Sequence, residues 1–310
     1  MKPAIHIDTS ALGDTIACIP TINKLFRIYE QPITVFTSKP FLFVNHPSVL
    51  EAFPLDANKT GYEVHTTFSS LLNSKHTVPF KHSTIDIRQF HAISLGFTLN
   101  SDEMYTDLYV EKEIDLQGYS NYVVIHPTNT WKSRTWDNNK WQSLINKLNK
   151  NNIPVIAIGR QDTEMSSHLG KHVEKPVMDI DIRLGINMLN DDECCIGSLR
   201  WMMDRAMCVI TMDSGILHVA GTTDVNIIQL GSSIDYKLRA PFRNGTQSHK
   251  YKYIGGSCKI SCASNMKYYK KVHGNIHGIP PLRTCLEGYE EFECHPIIDD
   301  VYNEIKRIKG

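Results

Sequence analysis

The sequence predicts an α/β protein of two doubly wound halves, each a parallel sheet with helices on both faces. Three observations carry that prediction. Short apolar, β-branched runs alternate with helix-length amphipathic segments over residues 4–53 and again over 122–231, and such alternation builds βαβ units. A polar connector at 100–120 separates the two series. The 310 residues are enough for two cores,. The halves are expected at 1–115 and 116–310.

Taken in order, residues 4–7 read as the first strand and 8–14 as the loop after it. Thr15 to Tyr29 reads as a helix with Ile16, Ile19, Ile22, Leu25 and Phe26 on one face, and Pro20 inside it should kink it or delay its start. Residues 33–37 form the second strand, and 49–53 the edge of a third unit. The stretch 55–80 is polar and poorly patterned. Ile85 to Leu95 reads as a helix with Arg88 and His91 on one side, and 107–110 as a short strand within the connector. The second series has strands at 122–127, 154–159, 207–212 and 226–231, with helices through Trp141, Leu144 and Leu148 and from Leu199 to Ala206. Ligands in such sheets sit at the carboxyl ends of the strands. The loops at 8–14, 126–134, 159–162, 213–215 and 231–235 are therefore the candidate site.

Composition narrows the class. With 41% hydrophobic and 21% charged residues, the chain is an ordinary globular one. No apolar run approaches the roughly 18 residues needed to cross a bilayer. The first residues read as a strand rather than a signal peptide's apolar core, so the cytoplasm is the expected compartment. Of eight cysteines, Cys18, Cys194, Cys195 and Cys208 sit in apolar or mixed surroundings and read as buried small hydrophobes. Net charge is zero, yet the segment from Tyr236 to Cys285 holds ten Lys and Arg and no acid, which points to a local anionic partner.

The turn Asp213-Ser214-Gly215 joins a strand to a helix that carries His218. Gly215 admits close backbone approach, and amides opening a helix attract anions; this suits a phosphate-bearing ligand. The alternative is a plain helix start capped by Ser214. Asp14, after Gly13, suits a general base that takes a proton from an attacking hydroxyl, or else a helix cap. Lys132 and Arg134, between Trp131 and Trp136, suit a diphosphate clamp, or else a solvated loop.

Four blocks, Ser10 to Pro20, His126 to Trp136, Gly159 to Glu164 and Asp213 to His218, stand in the order and spacing of the ADP-heptose heptosyltransferases, glycosyltransferase family nine, which the chain resembles over nearly its whole length. The resemblance is weakest over 40–115. It implies the GT-B fold, two Rossmann-like domains facing across a cleft, and an inverting, metal-independent sugar transfer with an ADP-sugar as donor. It places the general base on Asp14 and the donor phosphate contact on Arg134, with Lys132 beside it. Asp213, Ser214, Gly215 and His218 then hold the nucleotide diphosphate, and Gly159 and Gly231 complete the donor side. Ser10, Arg88 and His91 are expected on the acceptor side.

The chain is similar above all to the branch that heptosylates autotransporter proteins, in its opening, Ile7 to Ala17, and in its end. There Cys258, Cys262, Cys285 and Cys294 match four cysteines that bind iron in that branch, although their spacing departs from its pattern. Four thiolates suit structural iron or zinc in a finger over 258–294; free thiols are the alternative. The acceptor is expected to be a protein or a saccharide. Aromatics among the cations (Tyr236, Phe242, Tyr251, Tyr253, Tyr268 and Tyr269) keep a nucleic-acid acceptor, glycosylated from a UDP-sugar, as an alternative. A non-catalytic nucleotide-sugar or nucleic-acid binder of the same fold is a third reading, and an oligomer is open. Asp179-Ile180-Asp181 resembles a metal-dependent transferase motif in the wrong fold context.

Overall fold

The first βαβ series places β1 (Lys2–Ile7) parallel to β2 (Ile33–Thr37), with two helices between them, α1 (Leu12–Ala17) and α2 (Ile19–Tyr29). The computed structural model describes residues 1–67, 85–128, 132–160, 165–166, 172–173, 178–192, 194–243, 245–268 and 285–310. Where one helix from Thr15 was expected, helical structure begins at Leu12 and breaks at Cys18. Pro20 falls in the first turn of α2, where a missing N–H leaves no helical bond unmade. Asp14 consequently sits inside the first turn of α1 rather than in the loop before it.

β3 (Val49–Phe53) and β4 (Tyr62–Thr67) complete a four-stranded parallel sheet of order β3-β2-β1-β4. β4 corrects the expectation of an unpatterned 55–80: its side chains are mostly half-buried, so it carries little apolar alternation. The rest of that stretch, from 68, lies outside the described residues. α3 (Ile87–Ser94) is capped by Asp86, whose carboxylate accepts the Arg88 backbone N–H at 2.9 Å. The strand expected at 107–110 is irregular chain. The segment Lys237–Arg243 groups with Met1–Glu111 in this first compact unit. There the Ala240 carbonyl accepts from Arg88 Nη2 at 3.0 Å, and Phe242 meets Tyr105 edge to face at 5.0 Å.

The second unit, Lys112–Tyr236 with Asn244–Gly310, contains β5 (Val123–His126), α4 (Asn138–Lys150) and β6 (Val155–Gly159). Two short antiparallel strands follow, β7 (Met165–Ser166) and β8 (His172–Val173), then β9 (Gly185–Leu189) and α5 (Ile196–Asp204). Next come β10 (Cys208–Thr211), α6 (Gly215–Gly221), β11 (Asn226–Leu230), β12 (Tyr251–Ile254) and α7 (Ile298–Lys309). The six-stranded sheet has the order β9-β6-β5-β10-β11-β12 and is parallel throughout. Numbered within the unit this is 3-2-1-4-5-6, the doubly wound order of dinucleotide-binding folds, and its switch point lies between β5 and β10.

One face of this sheet buries Ile125, Val155, Ala157, Ile210 and Ile228 against Trp136 and Trp141, which meet edge to face at 5.0 Å, and against Val301 and Ile305 of α7. Burial of that kind contributes about 1.5–3 kcal/mol per large aliphatic side chain. Cys18 and Cys208 are buried as expected, but Cys194 is half-buried and Cys195 exposed. Cys195 stands at the N-cap of α5, a surface position that its apolar neighbours in sequence do not reveal. Among the described residues, no helix is long and apolar enough to cross a membrane.

Candidate functional site

In the first unit the switch point of the sheet lies between β1 and β4, whose last residues pair at Ile7 and Thr67. The loop leaving β1 is pinned there: Ser38 Oγ donates to the Thr9 carbonyl at 3.1 Å, and Thr9 Oγ1 accepts the Ala11 N–H at 3.2 Å. Thr9 Oγ1 also donates to Asp14 Oδ2 at 3.4 Å. Asp14 does not cap α1; the N-cap position is Ala11, with no side-chain bond. Its half-exposed carboxylate forms no salt bridge among the described residues, so it is available as a proton acceptor. Ser10 is exposed in the same loop. Arg88 and His91 are held differently. Arg88 is 5% exposed and grips Asp86 through Nε and Nη2, while fully buried His91 lies 3.3 Å from Thr67 Oγ1.

In the second unit the switch point gathers most of the expected donor side. His126 ends β5 and pairs with Thr211 at the end of β10. Ser214 occupies the N-cap position of α6, yet its hydroxyl makes no capping bond. Instead it lies 3.0 Å from Thr211 Oγ1 and 3.3 Å from His126 Nδ1, so helix capping does not explain the serine. Asp213, 3% exposed, accepts from Arg134 Nη1 at 3.1 Å. His218 is buried on the same short helix, and Lys132 is exposed.

The loop that carries Arg134 is a single 3-10 turn, Lys132–Arg134, anchored from beneath. Buried Ser133 shares a hydrogen bond with Ser233 at 2.9 Å and offers its carbonyl to His295 Nε2 at 3.0 Å; Trp136 Nε1 donates to the Pro296 carbonyl. A basic side chain is thereby fixed at the strand ends by a rigid base, the arrangement that electrostatic stabilisation of an anionic group needs. Trp131 and residues 129 and 130 lie outside the described residues, as do 161–164 of the Gly159 block.

The two glycines have structural uses. Gly159 has φ +140°, and a Cβ there would stand 2.2 Å from Thr128 Oγ1; the absent side chain makes room for the threonine. A Cβ on Gly231 would meet the Cys294 carbonyl at 2.3 Å and the Gly255 Cα at 2.7 Å, so this glycine admits the returning chain.

Residue pattern alone assigns no role to Thr128, Thr211 or Gln229. In register, His126, Thr211, Gln229 and Tyr253 form one polar row across β5, β10, β11 and β12. Gln229 is 1% exposed and its amide oxygen accepts from Tyr251 at 2.7 Å. Burial raises the Tyr251 phenol well above its ordinary value and pushes Tyr253 up to about 12, so both stay protonated. Tyr253 stacks on Tyr236 at 4.0 Å. A glutamine inside the apolar strand 226–230 was the readable signal.

Cys258, Cys262, Cys285 and Cys294 line one cavity of about 20 Å³ with Ser233 and Phe292. Burial first, then the neighbouring cysteines, push Cys262 up to about 11 and Cys294 up to about 12. The shared cavity brings the four thiols together. Among the described residues, however, no group of three or more His, Cys, Asp or Glu stands in an arrangement that holds a metal ion. Residues 269–284, with Lys270, Lys271, Arg283 and Tyr269 of the basic segment, lie outside the described residues.

Two parallel, doubly wound sheets with polar side chains at their switch points define a Rossmann-like α/β protein of the GT-B class. The chain belongs to glycosyltransferase family 9, the heptosyltransferases, whose family model matches residues 46–247, and it is a glycosyltransferase. Nothing among the curated proteins matches it in sequence. Among solved structures it is similar to the glycosyl transferase family 9 protein of Veillonella parvula DSM 2008, at 13% identity over 99% of this chain and 97% of that one (TM-score 0.64). It is also similar to TibC of enterotoxigenic E. coli H10407, a dodecameric iron-containing heptosyltransferase solved with ADP-D-β-D-heptose, at 14% identity over 100% and 77% (TM-score 0.68). A third is the E. coli ADP-heptose LPS heptosyltransferase II, at 15% identity over 82% and 90% (TM-score 0.54).

Proposed function

We propose that this protein transfers heptose from ADP-heptose to an acceptor hydroxyl of a protein or saccharide, with inversion at the anomeric carbon and without a metal in the chemistry. The observation that carries the proposal is the second unit's switch point, where Arg134, Asp213 and the Ser214 turn meet at the ends of β5 and β10. Family membership and the ADP-heptose bound by TibC support the choice of donor.

Asp14 takes the proton of the acceptor hydroxyl as its oxygen attacks the anomeric carbon, and the bond to the diphosphate breaks. Arg134, with Lys132 beside it and the 213–218 turn, meets the charge that gathers on the leaving diphosphate. The family match begins after Asp14, so this role rests on the Gly13-Asp14 motif and on a carboxylate that forms no salt bridge among the described residues. The first unit carries the acceptor side, with Ser10 as its exposed candidate while Arg88 and His91 act through packing, and the second unit carries the donor side. Purified protein with ADP-heptose and an acceptor panel should yield ADP and a product heavier by one heptosyl group. Asp14→Ala should abolish product while donor binding persists, and normal turnover in that variant would remove Asp14 from the mechanism.

Because TibC contains iron and is dodecameric, two further readings are part of the proposal. The converging cysteines close on a structural iron or zinc, which elemental analysis of purified protein would detect at one ion per chain. The chain self-associates, which light scattering would show.

A further inference from the structure

The hydrogen-bond directions at the end of β10 can be resolved from the number of protons available. Thr211 has one hydroxyl proton, and the Met212 carbonyl, 3.1 Å from Oγ1, is the one neighbour of the three that can only accept it. With that proton assigned to the carbonyl, which can only accept, Thr211 Oγ1 turns lone pairs alone towards its other neighbours, His126 Nδ1 at 3.3 Å and Ser214 Oγ at 3.0 Å,. If Nδ1 were unprotonated, it would face the Thr211 lone pairs with a lone pair of its own. A proton on Nδ1 removes that repulsion and serves both Thr211 Oγ1 and Ser214 Oγ. Nε2 is then the acceptor, and Thr128 Oγ1, 3.3 Å away, supplies the matching hydroxyl proton.

From this we infer that His126 is a positioning residue: neutral, protonated on Nδ1, it holds the Ser214 oxygen from behind and releases the Ser214 hydroxyl proton for an anionic ligand oxygen. Without a ligand that proton falls to Thr211 Oγ1. When a phosphate oxygen arrives it swings outward, and Thr211 keeps the Nδ1–H in its place, so no buried group loses its partner. Thr128 is part of the device because it fixes the tautomer, and Gly159 is part of it because a side chain there would displace the Thr128 hydroxyl. The inference rests on the donor reading above for the identity of the ligand. The tautomer does not depend on that reading.

The test has a spectroscopic arm and a kinetic arm. A long-range ¹H–¹⁵N correlation spectrum of protein labelled in histidine, with His126→Asn used to assign the resonance, should show His126 protonated on Nδ1. An Nε2-protonated ring would overturn the inference whether or not any nucleotide binds. In the kinetic arm, His126→Leu and Ser214→Ala should each raise the KM for ADP-heptose roughly 10-fold with a smaller change in kcat, as expected for one lost hydrogen bond to a charged group. The double variant should be no worse than either single one, since both remove the same bond. His126→Asn, whose amide N–H replaces Nδ1–H, should recover most of the loss. Additive losses, or an Asn variant as poor as Leu, would overturn the assignment. Wild-type protein that neither binds nor turns over ADP-heptose would instead refute the donor reading, and the spectrum would still decide the tautomer.

Discussion

Arg134 is asked to do two things, to neutralise a buried carboxylate and to meet the donor phosphate, and substitution separates them. The Asp213 side chain is 5% exposed and the Arg134 side chain 19%, with Nη1 3.1 Å from Oδ2. Arg134→Ala strips the guanidinium from a carboxylate held out of water. Removal of one partner from a fully buried pair costs about 3–5 kcal/mol; because the arginine reaches solvent, water can partly replace it, and about 2 kcal/mol is expected. For a unit of this size that lowers the melting temperature by roughly 4–8 °C. Arg134→Lys keeps a cation on a shorter stem without the planar fork, and should lose about half as much. Adding Asp213→Asn to Arg134→Ala should restore most of the stability, because a neutral amide no longer requires the cation, but should leave the KM for donor high. Differential scanning fluorimetry and donor kinetics on the same four proteins read both effects. An Arg134→Ala protein that melts with wild type, or a double variant that stays as unstable as the single one, would refute the electrostatic account of this pair.

Other outcomes follow from the same geometry. His46 is 3% exposed, its Nδ1 accepts the Ser48 N–H at 3.2 Å, and burial lowers it to about 4. The unfolded chain therefore binds a proton near pH 6.5 that the folded chain refuses, so stability falls as the pH drops from about 6.5 towards 4. By pH 5 the loss is about 2 kcal/mol, and urea melts of His46→Asn should show that portion of the pH dependence gone. Gly231→Ala drives a Cβ to 2.3 Å from the Cys294 carbonyl; the backbone on either side must move, at about 1–3 kcal/mol. That variant should disturb the reactivity of Cys294 towards a thiol reagent as well as the melting point, and an unchanged protein would show that the strand ends are looser than described.

The doubly wound halves were legible because their strands are apolar runs flanked by amphipathic helices; β1, β2, β5, β6, β10 and β11 all announce themselves in this way. The five loops named from that pattern do follow strands of parallel sheets. β4, with its sequence Tyr-Glu-Val-His-Thr-Thr, was hidden because a half-buried edge strand has little apolar alternation to show. β12 was masked by Lys250 and Lys252, whose charge reads as surface. α7 was legible in principle, since Ile298, Val301, Tyr302, Ile305 and Ile308 repeat at helical spacing. In the site, Asp14, Arg134 and the 213–218 turn were visible as motifs. The uses of Gly159 and Gly231 were not, because what a missing Cβ makes room for comes from a distant part of the chain. Thr211 and His126 were hidden for a related reason: their roles depend on β5 and β10 lying side by side, although 85 residues separate them in sequence.

The central claim is that the second unit is a donor site for ADP-heptose, and ligand-induced stabilisation tests it most directly. Melting the protein with ADP-heptose at about 100 times its dissociation constant should add roughly 2.7 kcal/mol of stability, seen as a clear rise in melting temperature that Arg134→Ala largely abolishes. UDP-sugars at the same concentration should give little or none. A response to a UDP-sugar with none to ADP-heptose would contradict the account.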